Sequence, residues 1–231
     1  ADLGYDAIAE DITVADVSGD GLLDAVVARR GNASHGVQVL LGIGDGSLSA
    51  VQRHPLPWSA NGIAIGDLNN DGHPDLAIAA NTIYTMMSDG SGGLLAPTSI
   101  GGGTSNQVVR IVDVTADGLP DIVSLTSSGS VILHPQDELT GFPVNTFVTP
   151  VPGGAHDIHL AEVSGDSILD CLVSLPNEIR ILHGAPGAAF TFAASRPTTA
   201  EARAAATTDL DLDGDLDLVV AVEGASELVV M

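Results

Sequence analysis

Lysine is absent from this chain, cysteine occurs once, and aromatic side chains are scarce. Its 231 residues carry seven basic side chains, all arginine, against 30 acidic ones, for a formal net charge of -23. With no basic patch to meet phosphates, neither nucleic acid nor an anionic membrane surface is an expected partner. The lone Cys171 excludes an intrachain disulfide. No run of apolar residues reaches the 18 or so needed for a spanning helix, so membrane insertion is not expected. The aromatics are Trp58, Tyr5, Tyr84 and four Phe, which counts against a sugar site with an aromatic floor in every part of the molecule. Gly-x-Ser-x-Gly, His-Glu-x-x-His and phosphate-cradling Gly-Lys motifs are all missing, so nothing assigns a catalytic residue. No signal peptide is visible, and Ala1 is consistent with a start at a mature end.

What is present is a repeat. Five nine-residue acidic loops begin at Asp16, Asp67, Asp113, Glu162 and Asp209, spaced 51, 46, 49 and 47 residues apart. A fixed period in this range marks a repeat architecture. The loops hold 17 of the 30 acidic residues, so much of the acidity is cation-binding capacity. Five divalent cations would leave a charge of about -13.

The spacing within each loop suits calcium, which takes six to eight hard oxygen ligands. Oxygens at positions 1, 3 and 5 of a tight loop converge, position 7 offers a backbone carbonyl, and position 9 returns a carboxylate. The candidate ligands are Asp16, Ser18, Asp20, Leu22 and Asp24 in the first loop, and Asp67, Asn69, Asp71, His73 and Asp75 in the second. The third offers Asp113, Thr115, Asp117, Leu119 and Asp121; the fourth Glu162, Ser164, Asp166, Ile168 and Asp170; the fifth Asp209, Asp211, Asp213, Asp215 and Asp217. Glycine at position 6 (Gly21, Gly72, Gly118, Gly214) permits the sharp turn; the fourth loop has Ser167 there. Four or five calcium ions are expected. The fifth loop, richest in carboxylates, is expected to bind best and the fourth least. An EF-hand is excluded, because it needs twelve residues closed by Glu between two helices.

Around each loop the sequence reads as strands: short apolar or alternating runs bounded by Gly, Pro, Asp and Ser. Entering runs are Ile12–Val14, Ile63–Ile65, Val108–Val112, Ile158–Leu160 and Ala204–Thr208. Leaving runs are Ala25–Ala28, Leu76–Ala79, Ile122–Leu125, Cys171–Ser174 and Leu218–Val222. Third strands are expected over Val37–Leu41, Ile83–Met87, Val131–His134, Ile179–His183 and Leu228–Met231. Less regular fourth strands fall at Leu48–His54, Leu94–Ile100, Val144–Thr149 and Phe190–Ser195. Four antiparallel strands per period of about 48 residues make a propeller blade, since a single sheet can bury both faces only against neighbouring blades. The expectation is one all-β domain over residues 1–231, a five-bladed propeller in which Ala1 to Asp11 lend the last blade its missing fourth strand. The alternative is part of a six- or seven-bladed ring.

The pattern Asp-x-(Asp/Asn/Ser)-x-Asp-Gly-x-x-Asp before a strand resembles the FG-GAP/VCBS repeat family of integrin-like propellers. Leu41-Gly-Ile-Gly-Asp-Gly-Ser-Leu48 is similar to that family's hairpin between third and fourth strands, and Ser88-Asp-Gly-Ser-Gly-Gly-Leu94 more loosely so. The Phe-Gly dipeptide is absent, with Ile65-Gly66 in its place. The resemblance implies structural calcium, an extracellular or cell-surface setting, and a non-catalytic binding or adhesion module with a protein or glycan ligand. A lectin binding sugars between blades, or a propeller attached to a polysaccharide-active enzyme, are the alternatives.

Other residues read as structural. Cys171 aligns with Ala25, Leu76, Ile122 and Leu218 and is expected in the core. His156 and His159 are too awkwardly placed on one strand to share a metal. Trp58, beside Arg53 near the first inter-blade turn, is expected to pack there, with an exposed contact as the other reading.

Overall fold

The computed structural model describes residues 7–31, 35–89, 93–138, 141–142, 146–224 and 227–230. These residues contain strands and turns with no helix. Blade 1 is β1 (Ala7–Ala15), β2 (Asp24–Gly31), β3 (Gly36–Gly42) and β4 (Leu48–Pro55). Blade 2 is β5 (Gly62–Gly66), β6 (Asp75–Ala79), β7 (Ile83–Met86) and β8 (Thr98–Gly101). Blade 3 is β9 (Asn106–Val112), β10 (Asp121–Thr126), β11 (Ser130–His134) and β12 (Phe147–Pro150). Blade 4 is β13 (Asp157–Ala161), β14 (Asp170–Leu175), β15 (Glu178–His183) and β16 (Thr191–Pro197). Blade 5 has β17 (Glu201–Thr208), β18 (Asp217–Glu223) and β19 (Glu227–Val230). Each sheet is an antiparallel meander in chain order, as propeller blades are.

Strand alternation dictates how the blades stack. The first and third residues after the loop's position 9 face the preceding blade, and the second and fourth the following blade. Val26 and Ala28 of β2 pack with Leu76 and Ile78 of β6. Ala77 and Ala79 meet Val109 and Ile122. Val123 and Leu125 meet Cys171 and Val173, and Leu172 meets Leu218 and Val220. Cys171 is fully buried, as its alignment indicates. A fifth cluster, Ala25, Val27 and Leu40, lies wholly within blade 1. Among the described residues, no core cluster joins blade 5 to blade 1.

Polar ties cross each junction near the start of the inner strands. Asp11 accepts the Ile63 N–H at 2.9 Å, and the Asn61 amide donates to the Asn106 carbonyl at 2.8 Å. Arg110 pairs with Asp157 at 2.6 Å, and His156 meets Glu201 at 2.5 Å. His159 does not join His156 but lies 3.0 Å from the Thr207 hydroxyl.

Some boundaries differ from expectation. Residues 7–11 do not complete the last blade; they extend β1 and pair with β2, because Glu10 and Asp11 are tolerated where a strand edge meets the polar junction. Residues 1–6 lie outside the described set, as do Val144 and Met231. The fourth strand of blade 2 starts at Thr98 rather than Leu94, which makes only an isolated bridge to Ser88; Pro97 has no N–H to continue the ladder. Trp58 is exposed rather than packed at the junction. Leu56 and Ala60 take the buried places there.

Candidate metal centre

All five loops link the innermost strand of a blade to its second strand, so they share one end of the propeller. Each reverses direction within nine residues by placing two of them at positive φ. Position 6 is left-handed in Gly21, Gly72, Gly118, Ser167 and Gly214. Position 4 is left-handed as well, in Gly19, Asn70, Ala116, Gly165 and Leu212. This second reversal is not visible in the sequence, since alanine and leucine do not favour it. A serine at φ 69° carries a steric cost that glycine avoids. Ser167→Gly is expected to raise stability by about 0.5–1 kcal/mol, the steric relief less glycine's larger unfolded entropy. Thermal melts of the two proteins without added metal test this.

Backbone amides hold the carboxylates in place. The position 1 carboxylate accepts the N–H groups of positions 5 and 6: Asp16 from Asp20 and Gly21, Asp67 from Asp71 and Gly72, Asp113 from Asp117 and Gly118, Asp209 from Asp213 and Gly214. Glu162, one methylene longer, instead accepts from Ser164, Gly165 and Asp166 through one oxygen. The position 5 carboxylate accepts the N–H of position 7, as Asp71 does from His73 at 2.8 Å. That bond, with one from the Asn69 amide, lowers the Asp71 pKa.

Position 9 does more than close the loop. Asp24, Asp75, Asp121 and Asp170 are all buried. One oxygen of each accepts an N–H from position 2 or 3, and the other an N–H at the end of the third strand. The latter donors are Gly42, Ser88, Gln136 and Gly184, at 2.7–3.0 Å. Burial pushes the Asp75 and Asp121 carboxyls above the ordinary range, and these hydrogen bonds partly restore them. Position 9 is therefore the knot joining loop, second strand and third strand.

Convergence differs among the loops. In the fifth, oxygens of Asp209, Asp211 and Asp217 lie within 4.8 Å of one another, the one such trio of acidic, His or Cys side chains among the described residues. Three carboxylates so close repel unless a cation sits among them, and an all-oxygen donor set suits calcium. In the other four loops position 3 is Ser, Asn or Thr, so fewer like charges meet. Side chains at positions 5 and 7 of the fifth loop, Asp213 and Asp215, stand outside the trio.

The opposite end is built from unrepeated residues. Glu10, Asp11, Arg30, Arg110, His156 and Asp157 line a cavity of about 470 Å³ at the start of the inner strands. Its charges are largely paired: Arg30 with Glu10 at 2.8 Å, Arg110 with Asp157, and His156 with Glu201. Further clefts lie between blades at the loop end, one of about 540 Å³ between the fourth and fifth loops. One of about 400 Å³ lies between blades 3 and 4 beside Thr115, Asp117, Gln136 and Phe147. Another of about 270 Å³ separates blades 4 and 5 beside His183, Arg196 and Thr207. The hairpin of blade 1 has Asp45 accepting both the N–H and hydroxyl of Ser47, with Gly44 and Gly46 at positive φ. Its looser counterpart at 88–94 lies partly outside the described residues.

Residues 8–78, blade 1 and half of blade 2, match the family model described as FG-GAP-like repeat. That segment, about a third of the chain, carries the FG-GAP-like repeat. No curated protein sequence matches it. Among solved structures, an Agrocybe aegerita lectin, described by its specific recognition of non-reducing terminal N-acetylglucosamine, superposes with a TM-score of 0.59 at 17% identity. The match covers 98% of this chain and 66% of the lectin chain, just under two thirds of its length. At that identity the likeness is one of fold, and it agrees with the propeller blades seen here.

Proposed function

We propose that this FG-GAP-like propeller is a secreted, calcium-stabilised binding module without catalytic activity, taking a protein or glycan ligand. The observation that carries the calcium reading is the Asp209, Asp211 and Asp217 trio, set in a loop that the chain repeats five times. Calcium there would neutralise carboxylates that otherwise repel. The remaining loops would hold the ion through position 1, 3, 5 and 9 side chains and the position 7 carbonyl, already ordered by backbone amides. Affinities of roughly 10⁻⁴–10⁻³ M are expected, as in extracellular modules. Sites of that affinity would fill at the millimolar calcium of an extracellular setting, which is the setting proposed.

At 10 mM calcium, each occupied site of that affinity adds about 1.4–2.7 kcal/mol to the unfolding free energy. The melting temperature is expected to rise with calcium and fall back with a chelator, and Asp211→Ala is expected to remove part of the rise. A melting temperature indifferent to calcium sinks the proposal.

A glycan ligand is supported by the clefts between consecutive blades, at 3–4 and 4–5. It is supported also by the lectin neighbour, whose described ligand is terminal N-acetylglucosamine. A glycan array probed with calcium-loaded and calcium-depleted protein decides it. Selective binding lost on depletion favours the lectin reading; a blank array from folded, loaded protein favours a protein ligand.

A further inference from the structure

The repeat supplies its own control for which blade faces are covered. Ile63, Val109 and Ile158 occupy one register position on the inner strands of blades 2, 3 and 4, opposite Ile78, Ser124 and Val173. They are 5%, 0% and 0% exposed, each pressed against the preceding blade. Ile12 holds the same position in blade 1, opposite Val27, and is 63% exposed. The second marker sits at loop position 2. Val17, Leu68 and Val114 are 4%, 1% and 1% exposed because each packs on the following blade. Leu210, their counterpart in blade 5, is 52% exposed. Val14, next outward on β1, is exposed too.

We infer that the ring is open between blades 5 and 1, and that its occupant is at least one further four-stranded blade of the same FG-GAP-like repeat. A blade fits because the two faces, bare at Ile12 and Val14 and at Leu210 although Ala25, Val27 and Leu40 of blade 1 are buried, are the two complementary kinds that meet at all four junctions within this chain. Blade 5 presents the side that elsewhere packs on a following blade, and blade 1 the side that packs on a preceding one. The interface is thus the continuation of an established one, apolar on both sides with a polar tie at the inner end. The lectin of like fold agrees in size, since roughly a third of its length has no counterpart here. A bare apolar face costs stability at about 25 cal/mol per Å² left in water and is an aggregation site, so the added blade both stabilises and solubilises.

Thiol labelling tests this, since the native Cys171 is fully buried and serves as the protected reference. In the 231-residue chain, Ile12→Cys and Leu210→Cys are expected to react with a maleimide on the order of 100-fold faster than Cys171, whose reaction waits on local opening, while sedimentation shows a monomer. Protection of both positions in a monomer means the chain closes on itself and overturns the inference. Protection accompanied by a concentration-dependent mass makes a second copy the occupant and also overturns it. A second variant appends a copy of residues 183–231 after Met231. The register pairs Leu172 with Ile181 and Val219 with Val230, so Met231 is the repeat equivalent of Leu182, and the copy supplies the fourth strand of blade 5 and the first three strands of a sixth blade in phase. Leu210→Cys in that chain is expected to label at least about 10-fold more slowly. Unchanged labelling of Leu210→Cys while Cys171 stays protected overturns the inference.

Discussion

Asp121→Ala is expected to destabilise the calcium-free protein by about 3–5 kcal/mol, the largest effect of any single loop substitution. Asp121 is fully buried, and its carboxylate accepts three backbone N–H groups, from Val114, Thr115 and Gln136. Hydrogen bonds to a charged acceptor contribute about 1.5–3 kcal/mol each, and their loss here leaves donors without partners. Removing a carboxylate that burial already disfavours offsets part of this. The melting temperature is expected to fall by roughly 10 °C or more for a domain of this size. Asp117→Ala, in the same loop, removes an exposed carboxylate whose hydrogen bond is to its neighbour Leu119. It is expected to leave the calcium-free melt nearly unchanged while weakening calcium binding. If the two substitutions destabilise equally without calcium, position 9 is not the structural knot described here.

Acid is expected to weaken the fold well above the carboxylate range. His134 is buried on β11, with Nδ1 unpartnered and Nε2 3.3 Å from the Ser124 hydroxyl. Burial lowers its pKa from 6.5 to about 4. Between those values the unfolded chain takes up a proton that the native state refuses, so stability falls as pH falls through this window. The full contribution is present above pH 6.5, and about 3 kcal/mol is lost by pH 4. His54 and His159, both lowered by burial, act in the same direction. Asp75 and Asp121 act oppositely: their raised pKa values let the native state keep protons that the unfolded chain releases, which favours the fold at the acid end. The measurement is a calcium-free denaturant series from pH 7 to pH 4 on wild type and His134→Gln. A slope between pH 6.5 and pH 4 that the substitution leaves untouched would rule out this assignment.

The blades were legible because their signals are local. Asp-Gly turns at a fixed period placed the loops, and the strand alternation placed residues such as Val26, Ile78 and Cys171 in the core. Other features were hidden because their causes lie elsewhere in the chain. The left-handed conformation of Ala116 and Leu212 opposes the preference of those residues and is imposed by loop closure. The second bond of Asp24, Asp75, Asp121 and Asp170 goes to an N–H 13 to 18 residues away, and since nearly every residue carries that donor, no residue type announces it. Exposure of Trp58 follows from Leu56 and Ala60 filling the junction first.

Sequence alone determined the repeat, the strand faces, the candidate oxygen donors and the absence of a basic surface. Each of these is a property of residue type at a fixed spacing. The tertiary structure decided which donors converge, where position 9 anchors the third strand, and which blade faces remain uncovered. Ile12 and Ile63 are the same residue at the same register position, one exposed and one buried. Only the presence or absence of a neighbouring blade separates them, because burial is a relation between surfaces and not a property of the residue.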